Sequence, residues 1–220
     1  MFLEIKGLLN PAEVTRLTEV SRELRFVEGR ISNPANLTKN NLQAAHDDPR
    51  YVETSQLVMQ ALLRSREFHD FALPKRIAPP LLCRYEPGMQ YGIHADAAYL
   101  RGPGGNLRSD VSCTVFVSDP ASYEGGELVA HLGTRAVAIK GAAGDAVVYP
   151  STTLHEVRPV QKGTRLVSIT FIESLVPDAS RRNLLYELGE ISALEGLNMC
   201  WESRVRLEAV RNNLFRLWSS

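Results

Sequence analysis

From about Ile77 to Ile172, short β-branched or aromatic runs alternate with clusters of Gly, Pro, Asn and Asp. Strands are predicted over Leu81 to Tyr85, Val111 to Ser118, Glu127 to His131, Arg135 to Ile139, Ala146 to Tyr149, His155 to Arg158 and Arg165 to Ile172. This spacing does not suggest βαβ units. An antiparallel sandwich or barrel is expected.

The flanks read differently. Asn10-Pro11-Ala12-Glu13 has the form of a helix start, with Asn10 as cap and Glu13 reaching back, and Val14, Leu17, Val20 and Leu24 follow at helical spacing. Asp48-Pro49 opens a second helix through Leu57, Val58, Ala61 and Leu62. The polar segment Asn33 to Asp48 is expected to be a loop or edge strand. Beyond Pro177, Asp178 caps a helix carrying Leu184, Leu185 and Leu188, and Leu207, Val210, Leu214 and Leu217 recur at three and four. Three segments are therefore expected: residues 1–76, helices packing on the barrel; 77–177, the β core; and 178–220, a helical tail. The apolar stripe of the tail, with Phe215 and Trp218, suits core packing or a homo-oligomer contact.

Composition narrows the function classes. With 25 Lys+Arg against 25 Asp+Glu, no bulk positive charge is available for nucleic acid, and none is expected as partner. Hydrophobic residues at 44% and charged residues at 23% are those of a folded globular chain. Cys83, Cys113 and Cys200 form no close pair, which argues against a disulfide framework or a zinc ribbon. The first residues lack a signal-like apolar run and no stretch approaches membrane-spanning length, so no membrane partner and a cytoplasmic location are expected.

Of five histidines, His94 belongs to an H-x-D triplet with Asp96. On a strand, positions i and i+2 share a face, so both side chains can reach one ion, and His155 can come to it from across a barrel. Two histidines and a carboxylate are the facial triad of non-haem Fe(II) oxygenases. With eight Asp in the chain, roughly 0.2 H-x-D triplets are expected by chance. A second copy, His46-Asp47-Asp48, is explained by Asp48 acting as a helix cap. His69 and His131 read as structural or surface histidines, and Cys83 and Cys113 as buried small hydrophobes.

The surroundings of His94 carry more. Tyr85 to Asp96 reads Y-x-x-G-x-x-Y-x-x-H-x-D, followed in order by Gly125-Gly126-Glu127-Leu128, Gly144-Asp145-Ala146-Val147-Val148-Tyr149-Pro150, His155-Glu156-Val157 and Pro159 to Arg165. This series resembles the prolyl 4-hydroxylase group of Fe(II)/2-oxoglutarate dioxygenases. With Lys39 to Gln43 upstream and a helical tail downstream, it is most similar to the bacterial PKHD-type hydroxylases.

The resemblance implies a mainly β fold with flanking helices: a double-stranded β-helix, or jelly roll, with iron at one mouth. It implies Fe(II) on His94, Asp96 and His155, and Arg165 on the far carboxylate of 2-oxoglutarate. An arginine in a run as apolar as Leu166-Val167-Ser168-Ile169 needs an anionic partner, which agrees. Collagen-type relatives carry lysine at that position, and the serine of the frequent Arg-x-Ser pattern is here displaced to Ser168, facing away. Tyr85 is then either the hydroxyl completing the carboxylate pocket or a core strand tyrosine. Asn41 and Gln43 are candidates for lining the substrate entrance.

The implied reaction consumes O2 and 2-oxoglutarate, with L-ascorbate as auxiliary reductant, and hydroxylates an unactivated C–H bond. The acceptor is a peptidyl proline or a small metabolite of iron uptake. The alternatives are a non-catalytic metal- or ligand-binding jelly-roll module, an iron sensor, or a cupin-like enzyme using another divalent ion.

Overall fold

The computed structural model describes residues 1–34, 36–102 and 105–220. The β-rich sequence forms two facing antiparallel sheets. The larger has the strand order Leu3–Ile5, Ala146–Pro150, Val111–Phe116, Arg165–Ser174, Leu81–Tyr85, Leu42–Ala44, Phe26–Glu28, with Pro74–Ile77 also paired to Arg165–Ser174. The smaller runs Arg135–Ile139, Leu128–Leu132, Leu154–Val157, Gln90–His94, Lys39–Asn40.

Alternation along the central strands decides what each face sees. Every residue of Val111–Phe116 is buried, because helices cover one face of the larger sheet and the smaller sheet covers the other. Val111, Cys113 and Val115 join the helix-side core. Period 2 then turns Ser112 and Thr114 toward the space between the sheets. On the neighbouring strands Leu82 and Leu166 go to the helix side, while Cys83, Tyr85 and Val167 go to the inner cluster. Arg165 shares the inner face, and Ser168 lies on the other, as its spacing predicts.

Helices α1 (Pro11–Glu23), α2 (Pro49–Arg64) and α3 (Arg66–Ala72) cover the outer face of the larger sheet. The predicted caps form: Asn10 Oδ1 accepts from Glu13 N at 3.0 Å, Glu13 Oε2 accepts from Asn10 N at 2.9 Å, and Asp48 Oδ1 accepts from Arg50 N at 2.9 Å. Leu17, Val58, Leu62 and Phe68 are fully buried on this side. The short α3 is not apparent in the sequence pattern; Ser65 starts it, and the left-handed backbone of Leu73 (φ 45°) ends it. Helices α4 (Ala179–Glu195) and α5 (Trp201–Trp218) form the tail hairpin.

Two expectations need correction. The first 76 residues are not only helices packed on the barrel: Leu3–Ile5, Phe26–Glu28, Leu42–Ala44 and Lys39–Asn40 complete the edges of both sheets. The tail stripe is not core, because α5 has no buried residue, and Val210 and Leu217 are exposed. Among the described residues no helix is long and apolar enough to cross a membrane.

Candidate metal centre

His94 and His155 lie opposite each other in register on adjacent strands of the smaller sheet, next to a bulge. The expected approach from across a barrel is thus replaced by a direct cross-strand pair, with ring centroids 4.3 Å apart. The strand ends at His94, so Asp96 lies beyond it and not on a shared strand face. Local backbone turns Asp96 inward: its N–H donates to Ser151 O at 3.3 Å. His94 Nε2 and His155 Nε2 each stand 3.9 Å from Asp96 Oδ1, and the three donor atoms fall within 4.8 Å of one another.

Hydrogen bonding leaves those nitrogens free. His94 Nδ1 meets Gly92 O at 2.8 Å and His155 Nδ1 meets Thr153 O at 2.9 Å, which assigns the N–H to Nδ1 and the lone pair to Nε2 in both rings. Burial, and next the neighbouring His155, lower the His94 pKa to about 4, so that imidazole is neutral. Asp96 Oδ2 accepts from Ser112 Oγ at 2.5 Å, and the contacts Ser112 Oγ to Ser151 Oγ (2.7 Å) and Ser109 Oγ to Ser151 Oγ (2.9 Å) extend this into a buried chain of hydroxyls. One carboxylate oxygen is thereby held and the other faces the imidazoles. Tyr91 stacks on His94 at 3.6 Å between ring centroids.

Arg165 lies directly opposite Tyr85 in the larger sheet, its guanidinium 5.0 Å from that ring. It is 1% exposed, and its Nε and Nη1 have no hydrogen-bond partner. A buried guanidinium in this condition is costly unless an anion completes it. The Tyr149 hydroxyl lies in the fields of both Asp96 and Arg165, and burial above all raises its pKa. Tyr85 is buried, and desolvation pushes its pKa above the ordinary range.

The Gly-Gly pair of the motif has a steric reason. Both Gly125 (φ 73°) and Gly126 (φ 67°) are left-handed; a Cβ on Gly125 would stand 2.2 Å from Pro159 O, and one on Gly126 would stand 3.0 Å from Arg165 Cδ. Tyr123, beside Arg165 and overlooked in the sequence, is buried with its pKa raised mainly by desolvation. Its position two residues before Gly125 is the signal that could have found it. Ser112, Ser151 and Lys39 were also overlooked.

Asn41 and Gln43 are buried at 2% and 3% exposure, so neither lines an open entrance. Asn41 packs on Gly29 and leaves Oδ1 unpartnered; Gln43 Oε1 accepts from Ser32 Oγ at 2.9 Å. The other histidines stand apart from the centre: His46 stacks on Tyr51, His69 meets Leu63 O at 3.1 Å, and His131 lies 3.3 Å from Glu156. Asp48 serves as the cap of α2.

A family model described as the 2OG-Fe(II) oxygenase superfamily matches residues 80–173. A PKHD-type hydroxylase of Sphingopyxis alaskensis is 52% identical over 211 residues, covering 96% of each chain. The chain belongs to the PKHD-type hydroxylases. A second member, from Xanthomonas campestris, is 41% identical over 226 residues, covering 100% of this chain and 99% of its own. The jelly-roll fold is shared with a prolyl hydroxylase of Trichoplax adhaerens solved with a hypoxia inducible factor peptide, at a TM-score of 0.60, 15% identity and coverage of 83% and 86%. The chain is accordingly an enzyme of the iron- and 2-oxoglutarate-dependent hydroxylase class, and the non-catalytic alternative is not favoured.

Two imidazole nitrogens and one carboxylate oxygen converging on a point are a donor set suited to Fe(II). The orphaned Arg165 donors suit a dicarboxylate cosubstrate. The residues present fit both groups.

Proposed function

We propose that His94, Asp96 and His155 hold Fe(II), and that Arg165, with Tyr123 or Tyr85 beside it, holds the distal carboxylate of 2-oxoglutarate. The overall change is R–H + O2 + 2-oxoglutarate → R–OH + succinate + CO2. Bound iron supplies the oxygen chemistry that no side chain provides. His94, Asp96 and His155 would supply the protein ligands of that ion, a set that leaves it open to the cosubstrate. Ser112 keeps Asp96 turned, Arg165 orients the cosubstrate, and the buried walls formed by Tyr149, Val157 and Val167 exclude water.

The observation that carries this reading is Arg165: a buried cation with two unpartnered donors on the inner face of the sheet that packs over the triad. Anaerobic addition of Fe(II) and 2-oxoglutarate is expected to produce a visible charge-transfer band that bleaches on admitting oxygen with release of succinate. Arg165→Ala is expected to lose the band while retaining iron. A band of unchanged strength in that variant would overturn the assignment.

The acceptor is a peptidyl proline or a metabolite of iron uptake such as a siderophore; product mass spectrometry, seeking addition of one oxygen atom, separates the two. L-Ascorbate acts as auxiliary reductant, and the reaction takes place in the cytoplasm, where the cosubstrate is made. The exposed Trp201, Val205, Val210 and Leu217 of α5 support pairing of two copies through the tail. Light scattering of a chain shortened to Pro177 tests this, since an unchanged oligomeric state would remove the tail from the contact.

A further inference from the structure

Among the described residues three lysine or arginine side chains are buried: Arg182, Arg165 and Lys39. Arg182 is accounted for structurally, because it donates to Val176 O (2.7 Å), Pro177 O (2.7 Å) and Asp110 O (3.2 Å). Arg165 is accounted for by the cosubstrate. Lys39 is explained by neither.

Lys39 is 7% exposed, and its Nζ donates to a single neutral acceptor, Ser32 Oγ, at 2.7 Å. It forms no ion pair among the described residues. Ser32 is itself turned to Gln43 Oε1 at 2.9 Å, so the polar group nearest the ammonium is already engaged. An ammonium has three N–H donors, and burying it without a counter-ion costs several kcal/mol by the general behaviour of desolvated charges, roughly what an anion would restore. Burial accordingly lowers the Lys39 pKa.

The place of this cation matters as much as its condition. Lys39 is in register with Tyr91 across the smaller sheet, and Nζ stands 5.2 Å from the Tyr91 ring centroid. That ring stacks on His94. An anion on Lys39 would therefore sit one aromatic ring away from the first metal ligand. Charge balance points the same way: with Fe(II) and dianionic 2-oxoglutarate beside Asp96, Lys39 and Arg165 leave one positive charge unanswered.

We propose that Lys39 is a substrate-binding residue that receives a carboxylate of the acceptor, making the acceptor a small organic acid and not an internal, uncharged prolyl segment. This rests on the iron and 2-oxoglutarate reading above and selects between its two acceptor classes. Ser32, itself held by Gln43, keeps the ammonium in place, and Tyr91, whose hydroxyl accepts from Asn33 Nδ2 at 3.1 Å, forms the floor between the anion and the metal.

The test uses the full chain loaded with Zn(II) and 2-oxoglutarate, which cannot turn over, and labelled with 13C-lysine. The Lys39 signal is assigned by its loss in Lys39→Gln. Two matched pairs serve as probes: N-acetylproline with its primary amide, and benzoate with benzamide. The acids are expected to shift the Lys39 signal saturably and the amides not. Lys39→Gln is expected to weaken acid binding, read by calorimetry, about 10–100-fold, as for loss of one charge-assisted hydrogen bond, with Lys39→Arg retaining part of it.

Equal shifts from acid and amide, or none from either acid, would overturn the proposal. So would a Lys39→Gln variant whose affinity for 2-oxoglutarate falls instead, since Lys39 would then belong to the cosubstrate. Failure of the parent reading looks different: the Fe(II)–2-oxoglutarate band would be missing in the unmodified protein while the acids still shifted Lys39.

Discussion

The two faces of the larger sheet share the same strands but are built from opposite chemistry. On the helix side Leu17, Val58, Leu62, Phe68 and Ile172 pack into one buried apolar cluster. On the inner side Tyr85, Tyr149 and Cys83 pack around Arg165, with the hydroxyl chain, both imidazoles and Asp96 beside them. The apolar face anchors the sheet against the helices, and the polar face contributes donor atoms that the fold leaves uncompensated. Stability and function are thus divided across one sheet by the alternation of side chains.

The sharpest way to break this comparison is Asp96→Ala. Metal affinity and succinate formation are expected to fall by more than the roughly 10–100-fold that loss of an outer-shell partner costs, with the thermal midpoint of the metal-free protein little changed. Metal titration followed by calorimetric melting checks both halves. A collapse of the midpoint would mean that the inner face is structural after all.

Phe68→Ala is the converse. Removing a ring that is fully buried on the helix side is expected to cost about 3–5 kcal/mol in denaturant unfolding. Metal affinity of the molecules that remain folded should stay as it was. A large change in that affinity would show that the two faces are coupled.

Ser112→Ala lies between these extremes, since its backbone belongs to the central strand and its hydroxyl to Asp96. A roughly 10–100-fold loss of metal affinity is expected, with Ser112→Thr restoring part of it. Electron paramagnetic resonance of the Mn(II)-loaded variant reads the altered carboxylate directly.

The smallest effect concerns the thiols. Desolvation pushes Cys83, on the inner face, up to about 11, and Cys113, on the helix face, up to about 12. The exposed Cys200 has its pKa lowered by its hydrogen bond with Ser203. At pH 8 one thiol is expected to react rapidly with a chromogenic disulfide and two only after unfolding. If Cys83 reacts with Cys200, the inner face opens to solvent on its own.

Much of this was legible before any coordinates. Period-2 runs located the main strands, Asn10 and Asp48 announced two helices, and the order of the motifs placed His94, Asp96, His155 and Arg165 in one protein class. Those signals are local, because the backbone of each segment responds to its own side chains and caps. The short strand Phe26–Glu28 was hidden, since three residues show no period and become a strand only when a sheet edge accepts them, whereas Lys39–Asn40 takes the edge-strand alternative read for its segment.

The site divides in the same way. The donor types and their order along the chain are properties of the sequence alone. That His94 faces His155 across one register pair, that Ser112 and Ser151 back Asp96, that Tyr123 stands beside Arg165, and that Lys39 is buried without an ion pair among the described residues were decided by tertiary structure. Each depends on bringing together segments far apart in the chain, and a buried polar atom is satisfied or orphaned only when the last neighbour is in place.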